Sequence, residues 1–343
     1  MRSHPLVWLS RVKFLEFVRE PEAIFWVLVF PVLLSLALGI AFRAKAPAPL
    51  AVAVCQGPGA VEAERALAAD PGLHAKVLAL GDARESLRTG KVALVVIPGD
   101  TITYWLDPAR DESRVARLAV DAALQHAAGR VDARGIELRE MKEKGSRYID
   151  FLVPGLLGMN LMGTGMWGIG FSIVTARSRG LLKRLVATPM RKRDYLLGQM
   201  MGRMVFLIPE VAVLVGFAHA AFGVPVKGSL VALALVAGVG AMAFTGIGLL
   251  VASRPRTIEG VSGLMNFVML PMWIFSGVFF SPSRFPDAML PLIRLLPLTA
   301  LNDALRAVMI DGATLASIAG PLCILGVWGL IAFAVALRLF RWQ

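Results

Sequence analysis

Uncharged apolar runs of similar length recur along the chain, separated by polar sequence. Residues 23–42 and 151–176 contain no Asp, Glu, Lys or Arg, 204–226 contains only Glu210, and 228–253, 260–283 and 312–337 complete a set of six. A helix of about 20 residues crosses a hydrocarbon core of about 30 Å. Lipid offers no partner for an exposed peptide group, so each run is expected to be a helix. The expected fold is therefore an α-helical integral membrane protein with six transmembrane helices. The first run is read as a retained span rather than a cleaved signal, because a long amphipathic segment precedes it.

Between the first two runs the pattern changes. "LAVAVCQ", "AKVLAL", "VALVVIPG" and "TITYWLD" read as strands, since β-branched apolar residues sit between Gly and Pro breaks. "GAVEAERALAAD", "DARESLRTG" and the segment from Asp111 to Val131 read as helices, the last with an acidic start that suits the helix dipole. Residues 43–150 are thus expected to form a small α/β domain, with the charged stretch before Gly145 returning the chain to the second span. Residues 284–311 are apolar but proline-broken and charged, and are expected to form short re-entrant-like helices rather than a span. Residues 1–22 place Trp8, Val12 and Leu15 opposite Ser10, Lys13, Glu16 and Glu20, which suits a helix lying in the membrane interface.

Charge then orients the chain. Lys and Arg precede the first run and follow the second, the fourth and the sixth, whereas the opposite loops hold few. The positive-inside rule places both termini and residues 177–203 in the cytoplasm, with 338–343 as a tail, and makes the α/β domain extracytoplasmic. Composition agrees, with 57% hydrophobic residues and a mean hydropathy of +0.67. The net charge of +12 follows from this distribution, so no nucleic-acid partner is expected.

Motifs for chemistry are missing. No G-x-x-x-x-G-K-[ST] loop, H-E-x-x-H pair or G-x-S-x-G elbow occurs, and the four histidines lack metal-ligand spacing. Catalysis by this chain is not expected, nor is a bound cofactor or metal. Cys55 and Cys323 lie in different regions and are read as buried small apolar residues without a disulfide.

Three polar residues within the runs have two readings each. Glu210 follows Pro209 and lies two turns beyond Arg203; it is either a polar element of a substrate path or paired with Arg203 through a kink. Asn160 and Asn266 are either buried amides joining helices or substrate contacts. The glycines of "GLLGMNLMGTGMWGIGF" permit close helix approach or a dimer seam.

The basic loop "RSRGLLKRLVATPMRKRDYLLGQMM" resembles the signature loop of permease subunits of type-2 ATP-binding-cassette transporters. Gly180, Leu182, Arg184, Leu185, Thr188, Pro189, Leu196, Leu197 and Gly198 match its pattern; the acids often found at its start are replaced by Arg177, Ser178 and Arg179. "FPVLLSLALGIAF", "YIDFLVPGLLGMNLM" and the segment between the fifth and sixth runs are similar to the drug- and lipid-export branch.

The resemblance implies a permease half that works as a dimer, homomeric or with a close paralogue, in the bacterial cytoplasmic membrane and among its lipids. ATP and Mg would be bound by a separate ATPase subunit, and the cargo would be a drug or lipid moved outwards. Arg179, Gly180, Leu181, Leu182, Lys183, Arg184, Leu185, Thr188 and Pro189 would couple the two subunits. A helix over 179–187 would turn Leu181, Leu182, Leu185 and Val186 to one side, and Thr188-Pro189 would end it. Simple anchoring of this loop at anionic headgroups is the other reading. An ATP-independent secondary transporter and a membrane-anchored sensor acting through the external domain are the alternative functions.

Overall fold

The computed structural model describes residues 19, 21–42, 48–131, 134, 137, 145, 147–187 and 191–341. The interfacial helix expected over 1–22 lies almost wholly outside these residues, as do most of the return segment before Gly145 and both Thr188 and Pro189. The chain divides into two compact units, 44–141 and the remainder.

The larger unit is helical. α1 covers 21–41 and includes a π-helical turn at Phe25–Val29; α5 covers 148–178, with a π-helical turn at Thr164–Gly168. α6 is Leu181–Val186, α7 Lys192–Phe222, α8 Leu230–Val251 and α9 Ile258–Phe275. α10 (Asp287–Leu295) and α11 (Pro297–Asp311) meet at a bend of 87°, and α12 is Ala319–Leu339. In this numbering β1–β4 and α2–α4 belong to the smaller unit.

Among the described residues four helices, α7, α8, α9 and α12, are long and apolar enough to cross a membrane, and α10 with α11 makes a fifth if the bent pair is one span. This narrows the expected six. The apolar part of α1, Phe25–Ala41, is shorter than a full crossing, and α5 is divided by its π-turn. Other boundaries shift where glycine leaves the helical region: α7 stops at Gly223 (φ 64°), residues beyond Phe275 turn at Gly277 (φ 69°), and α12 begins well after Gly312 (φ 71°).

α8 is the core of this unit. Of its apolar stretch 61% is buried within the chain, against 22%, 22% and 17% for α7, α9 and α12. Its small residues make that possible. A Cβ on Gly248 would lie 2.7 Å from the Gly165 carbonyl oxygen of α5, and one on Gly246 would lie 3.0 Å from the Gly329 carbonyl oxygen of α12. Backbone-to-backbone approach supplies the dispersion contacts that hold helices together where no hydrophobic driving force separates them from lipid.

The smaller unit is an α/β sandwich. β1 (Leu50–Cys55), β2 (Leu73–Leu78), β3 (Leu94–Ile97) and β4 (Thr103–Leu106) form one sheet in the order β2-β1-β3-β4. β1 runs parallel to β2 and β3, and β4 is antiparallel to β3. The two-residue period divides the strands. Val52, Val54, Leu94 and Val96 pack with α2 (Ala60–Ala68) and α4 (Asp111–Ala127), whereas Ala53, Cys55 and Val95 face Ala83 of α3 (Leu80–Arg88). Cys55 is buried, and burial pushes its thiol pKa up. Cys323 departs from expectation: it is exposed on α12, because Leu325, Ala332 and Ala336 take the inward face.

Tyr104 on β4 donates its hydroxyl to Asp121 of α4 at 3.3 Å. Burial first, and then the Asp121 charge, raise its pKa from 10.0 to about 12. A raised phenol pKa contributes stability that is present below pH 10 and lost as pH rises through about 12. Ultraviolet difference titration of the wild type against Tyr104→Phe is expected to show a phenolate midpoint near 12; a midpoint near 10 would contradict this packing.

Candidate functional site

The loop helix begins later than the sequence suggests. Arg179 still belongs to the end of α5, where its N–H donates to the Thr175 carbonyl at 3.0 Å, and Gly180 takes φ 71° before α6 starts. A Cβ on Gly180 would meet nothing within 4 Å. The requirement for glycine is therefore conformational, since a left-handed backbone costs other residues roughly 1–2 kcal/mol.

α6 has two unlike sides. Leu182 is fully buried and Leu185 is half-buried against the core, while Lys183, Arg184 and Leu181 are exposed. Leu181 corrects the expectation: it is exposed, while Leu182 and Leu185, three residues apart, turn inward, and the Val186 side chain lies outside the described ones. Arg179 is exposed as well.

Two other cations of the same segment are occupied structurally. Arg177, 8% exposed, donates from Nη1 to the carbonyl oxygens of Ala252 (3.2 Å) and Pro255, and from Nη2 to those of Ser253 (3.1 Å) and Arg341 (3.0 Å). Lys192 Nζ donates to the Phe340 carbonyl at 2.9 Å. These oxygens lie at and just beyond the ends of α8 and α12. The position where the resembled pattern often has an acid thus holds a cation that ties three helices together.

Deeper in the bundle, α1, α5 and α7 meet at a polar cluster. Arg203 Nη2 lies 2.5 Å from Glu210 Oε2, and the two side chains are 5% and 0% exposed. Glu210 Oε1 accepts from Asn160 Nδ2 (2.9 Å) and Thr164 Oγ1 (3.0 Å), and Arg203 Nη2 also donates to Thr164 Oγ1. Asn160 Nδ2 reaches the Val27 carbonyl of α1 at 3.2 Å.

Backbone irregularity converges here too. Val27 lies within the π-turn of α1, Thr164 opens the π-turn of α5, and Pro209 takes a donor out of the α7 ladder next to Glu210. Each helix therefore leaves regular α bonding where it meets the cluster. Arg203 Nε and Nη1 and the Gln199 side-chain oxygen, one turn away, find no partner among the described residues. Among the described residues Glu210 is thus the one anion paired with Arg203.

The predicted polar residues separate accordingly. Glu210 and Asn160 come together, joined by Thr164, whose i+4 spacing from Asn160 was the signal available in the sequence. Asn266 does not join them. It is exposed on α9 beside Phe267, because Val261, Met265, Met269 and Met272 occupy the inward face.

At the opposite end of the bundle Arg147 pairs with the buried Asp150 at 2.8 Å and donates to the Phe222 carbonyl that ends α7 (2.9 Å). Arg306 stacks 3.8 Å over the Phe151 ring and donates to the Gly277 carbonyl beyond α9, and Asn302 Nδ2 donates to the Ser276 carbonyl at 2.9 Å. Arg306 also lies 4.0 Å from the Asp303 carboxylate, three residues before it on α11. Two glycines of α5 serve these contacts: a Cβ on Gly155 or Gly158 would collide with Val278 or Asn302.

This arrangement defines a multi-pass helical membrane protein with a small sheet. A family model described as ABC-2 family transporter protein matches residues 21–338, and the chain belongs to that family of permeases. Over 172 residues it is 27% identical to ABC transporter G family member 20 of Dictyostelium discoideum, a match covering 50% of this chain and 23% of that protein. Over 176 residues it is 24% identical to the linearmycin resistance permease protein LnrN of Bacillus subtilis (strain 168), covering 51% and 46% respectively. The matched segments span less than half of either relative. No solved structure gives a significant match.

Removing one partner of a buried ion pair strands the other, at a cost of about 3–5 kcal/mol, whereas replacing both is often close to neutral. Glu210→Leu alone is expected to lower the unfolding temperature in detergent sharply, and Arg203→Met with Glu210→Leu to recover most of the loss. A double variant no better than the single would contradict a mutually compensating pair.

Proposed function

We propose that this chain is the membrane half of an ATP-driven exporter that carries a hydrophobic or amphiphilic cargo, a drug or lipid, out of the cytoplasm or the inner leaflet. Two such halves form the path, each engaging a separate ATPase subunit that binds ATP and Mg; this chain performs no hydrolysis itself. α1 and α5 are counted as spans beside α7, α8, α9 and α12, giving six, with α10 and α11 as re-entrant helices. Both termini and α6 face the cytoplasm of a bacterial inner membrane, with 44–141 outside.

The observation that carries this reading is the two-sided α6, together with membership of the permease family. Leu182 and Leu185 fasten it to the bundle, while Leu181, Lys183 and Arg184 are presented outward on a helix joined through Gly180 to the exposed Arg179 that ends α5. A short helix held on one side and free on the other is suited to receive a partner and pass its displacement to the attached spans. The likeness to a linearmycin resistance permease protein supports efflux.

Co-expression with candidate ATPase subunits tests this directly. The wild type is expected to co-purify with one of them and to show cargo-stimulated hydrolysis after reconstitution. Leu185→Asp and Gly180→Pro are expected to insert normally yet lose transport while hydrolysis persists. Transport at wild-type levels in both variants, or the lack of any ATPase partner, would overturn the proposal.

A further inference from the structure

The charges that follow α8 and end α12 form a site of their own. Arg254, Arg256, Arg338 and Arg341 are exposed, and none has an ion pair among the described residues. They are not independent in space. Arg177 Nη2 holds the carbonyl oxygens of both Ser253 and Arg341, and the Arg341 N–H donates to Ser253 at 3.4 Å. The backbones that carry Arg254 and Arg341 are thereby fixed side by side, with Arg256 directly after Pro255, another carbonyl on the same guanidinium.

Depth and flank identify what the four would meet. α8 has 22 residues and α12 has 21, so each is about 32 Å long and matches the hydrocarbon thickness. Residues just beyond them lie at headgroup level. On α12 the exposed Val327, Ile331 and Val335 lead at helical spacing to Arg338. An apolar stripe that faces outward and ends in exposed arginines carried on adjoining backbones complements a ligand with an acyl chain and an anionic head. A soluble acidic protein would use the charges and leave the stripe without a role.

We propose that this end of α8 and α12 binds the phosphate headgroup of an anionic phospholipid, whose acyl chain lies along the outer face of α12. Basic sites between spans at headgroup depth capture such lipids, and each arginine there contributes about a fivefold gain in affinity. The site is separate from α6 and from the buried Arg203–Glu210 pair. It holds whichever face of the membrane this end occupies.

Native mass spectrometry of the full chain in detergent, titrated with dioleoyl phosphatidylglycerol or dioleoyl phosphatidylcholine, tests the inference. Phosphatidylglycerol is expected to bind at least tenfold more tightly. Arg338→Gln with Arg341→Gln is expected to weaken it by about twentyfold, leaving phosphatidylcholine adducts unchanged, while Lys183→Gln with Arg184→Gln leaves both unchanged. Arg338 and Arg341 are exposed, so their replacement leaves the packing intact, and the headgroup comparison on the wild type needs no variant. Equal binding of the two lipids, full displacement of phosphatidylglycerol by millimolar inorganic phosphate, or wild-type affinity in the double variant would overturn the assignment. So would a variant that keeps its lipid but loses a co-purified ATPase subunit, because the patch would then be a protein dock.

Discussion

A helix ends in carbonyl groups that its own ladder leaves unbonded, and where such an end is buried against neighbouring elements no water is at hand to take them. Here the long helices hand those oxygens to cations on neighbouring elements. α7 ends on Arg147, α8 on Arg177, α12 on Arg177 and Lys192, and the turn after α9 on Arg306. Each contact joins a charge-assisted hydrogen bond to the negative end of a helix dipole, and so fixes where two helices meet. Because Arg147 precedes α5 and Arg177 lies near its other end, α5 holds α7 at one end and α8 with α12 at the other.

The same helix carries the middle of the bundle. Thr164 and Asn160 bring α5 to the Arg203–Glu210 pair of α7 and to the π-turn of α1. Three helices with interrupted ladders meet at one compensated pair of charges. Tight glycine contacts join α5 to α8 and to the segment after α9, so packing there leaves little freedom. In the proposed permease a displacement received at α6 passes Gly180 and meets the Arg177 clamp first, which links it to α8 and α12 as well as to α5.

Periodicity and hydropathy made the helical class readable, along with the strands of the smaller unit, whose β-branched runs alternate cleanly between two faces. The span boundaries were less legible, because Gly223, Gly277 and Gly312 end or delay helices within runs that are apolar throughout. Arg203 with Glu210 was visible as a possible pair, since seven residues return to the same helix face. That Asn266 lies outward was not legible, because hydropathy does not reveal which side of an apolar helix is inward. The clamps were missed for a different reason: Arg177, Lys192 and Arg147 bind carbonyls distant in sequence, and a carbonyl acceptor leaves no residue-type signature. Topology appeared to account for the first two charges, which concealed their structural work.

The central claim, that cation-to-carbonyl contacts hold the helix ends, is tested most directly by hydrogen exchange on Arg177→Lys. Lysine keeps the charge but lacks the planar fork needed to serve four oxygens. Faster exchange is predicted both around 252–256 and around 339–341, two segments far apart in sequence, with 103–106 unchanged. Exchange at wild-type rates in both segments would contradict the claim.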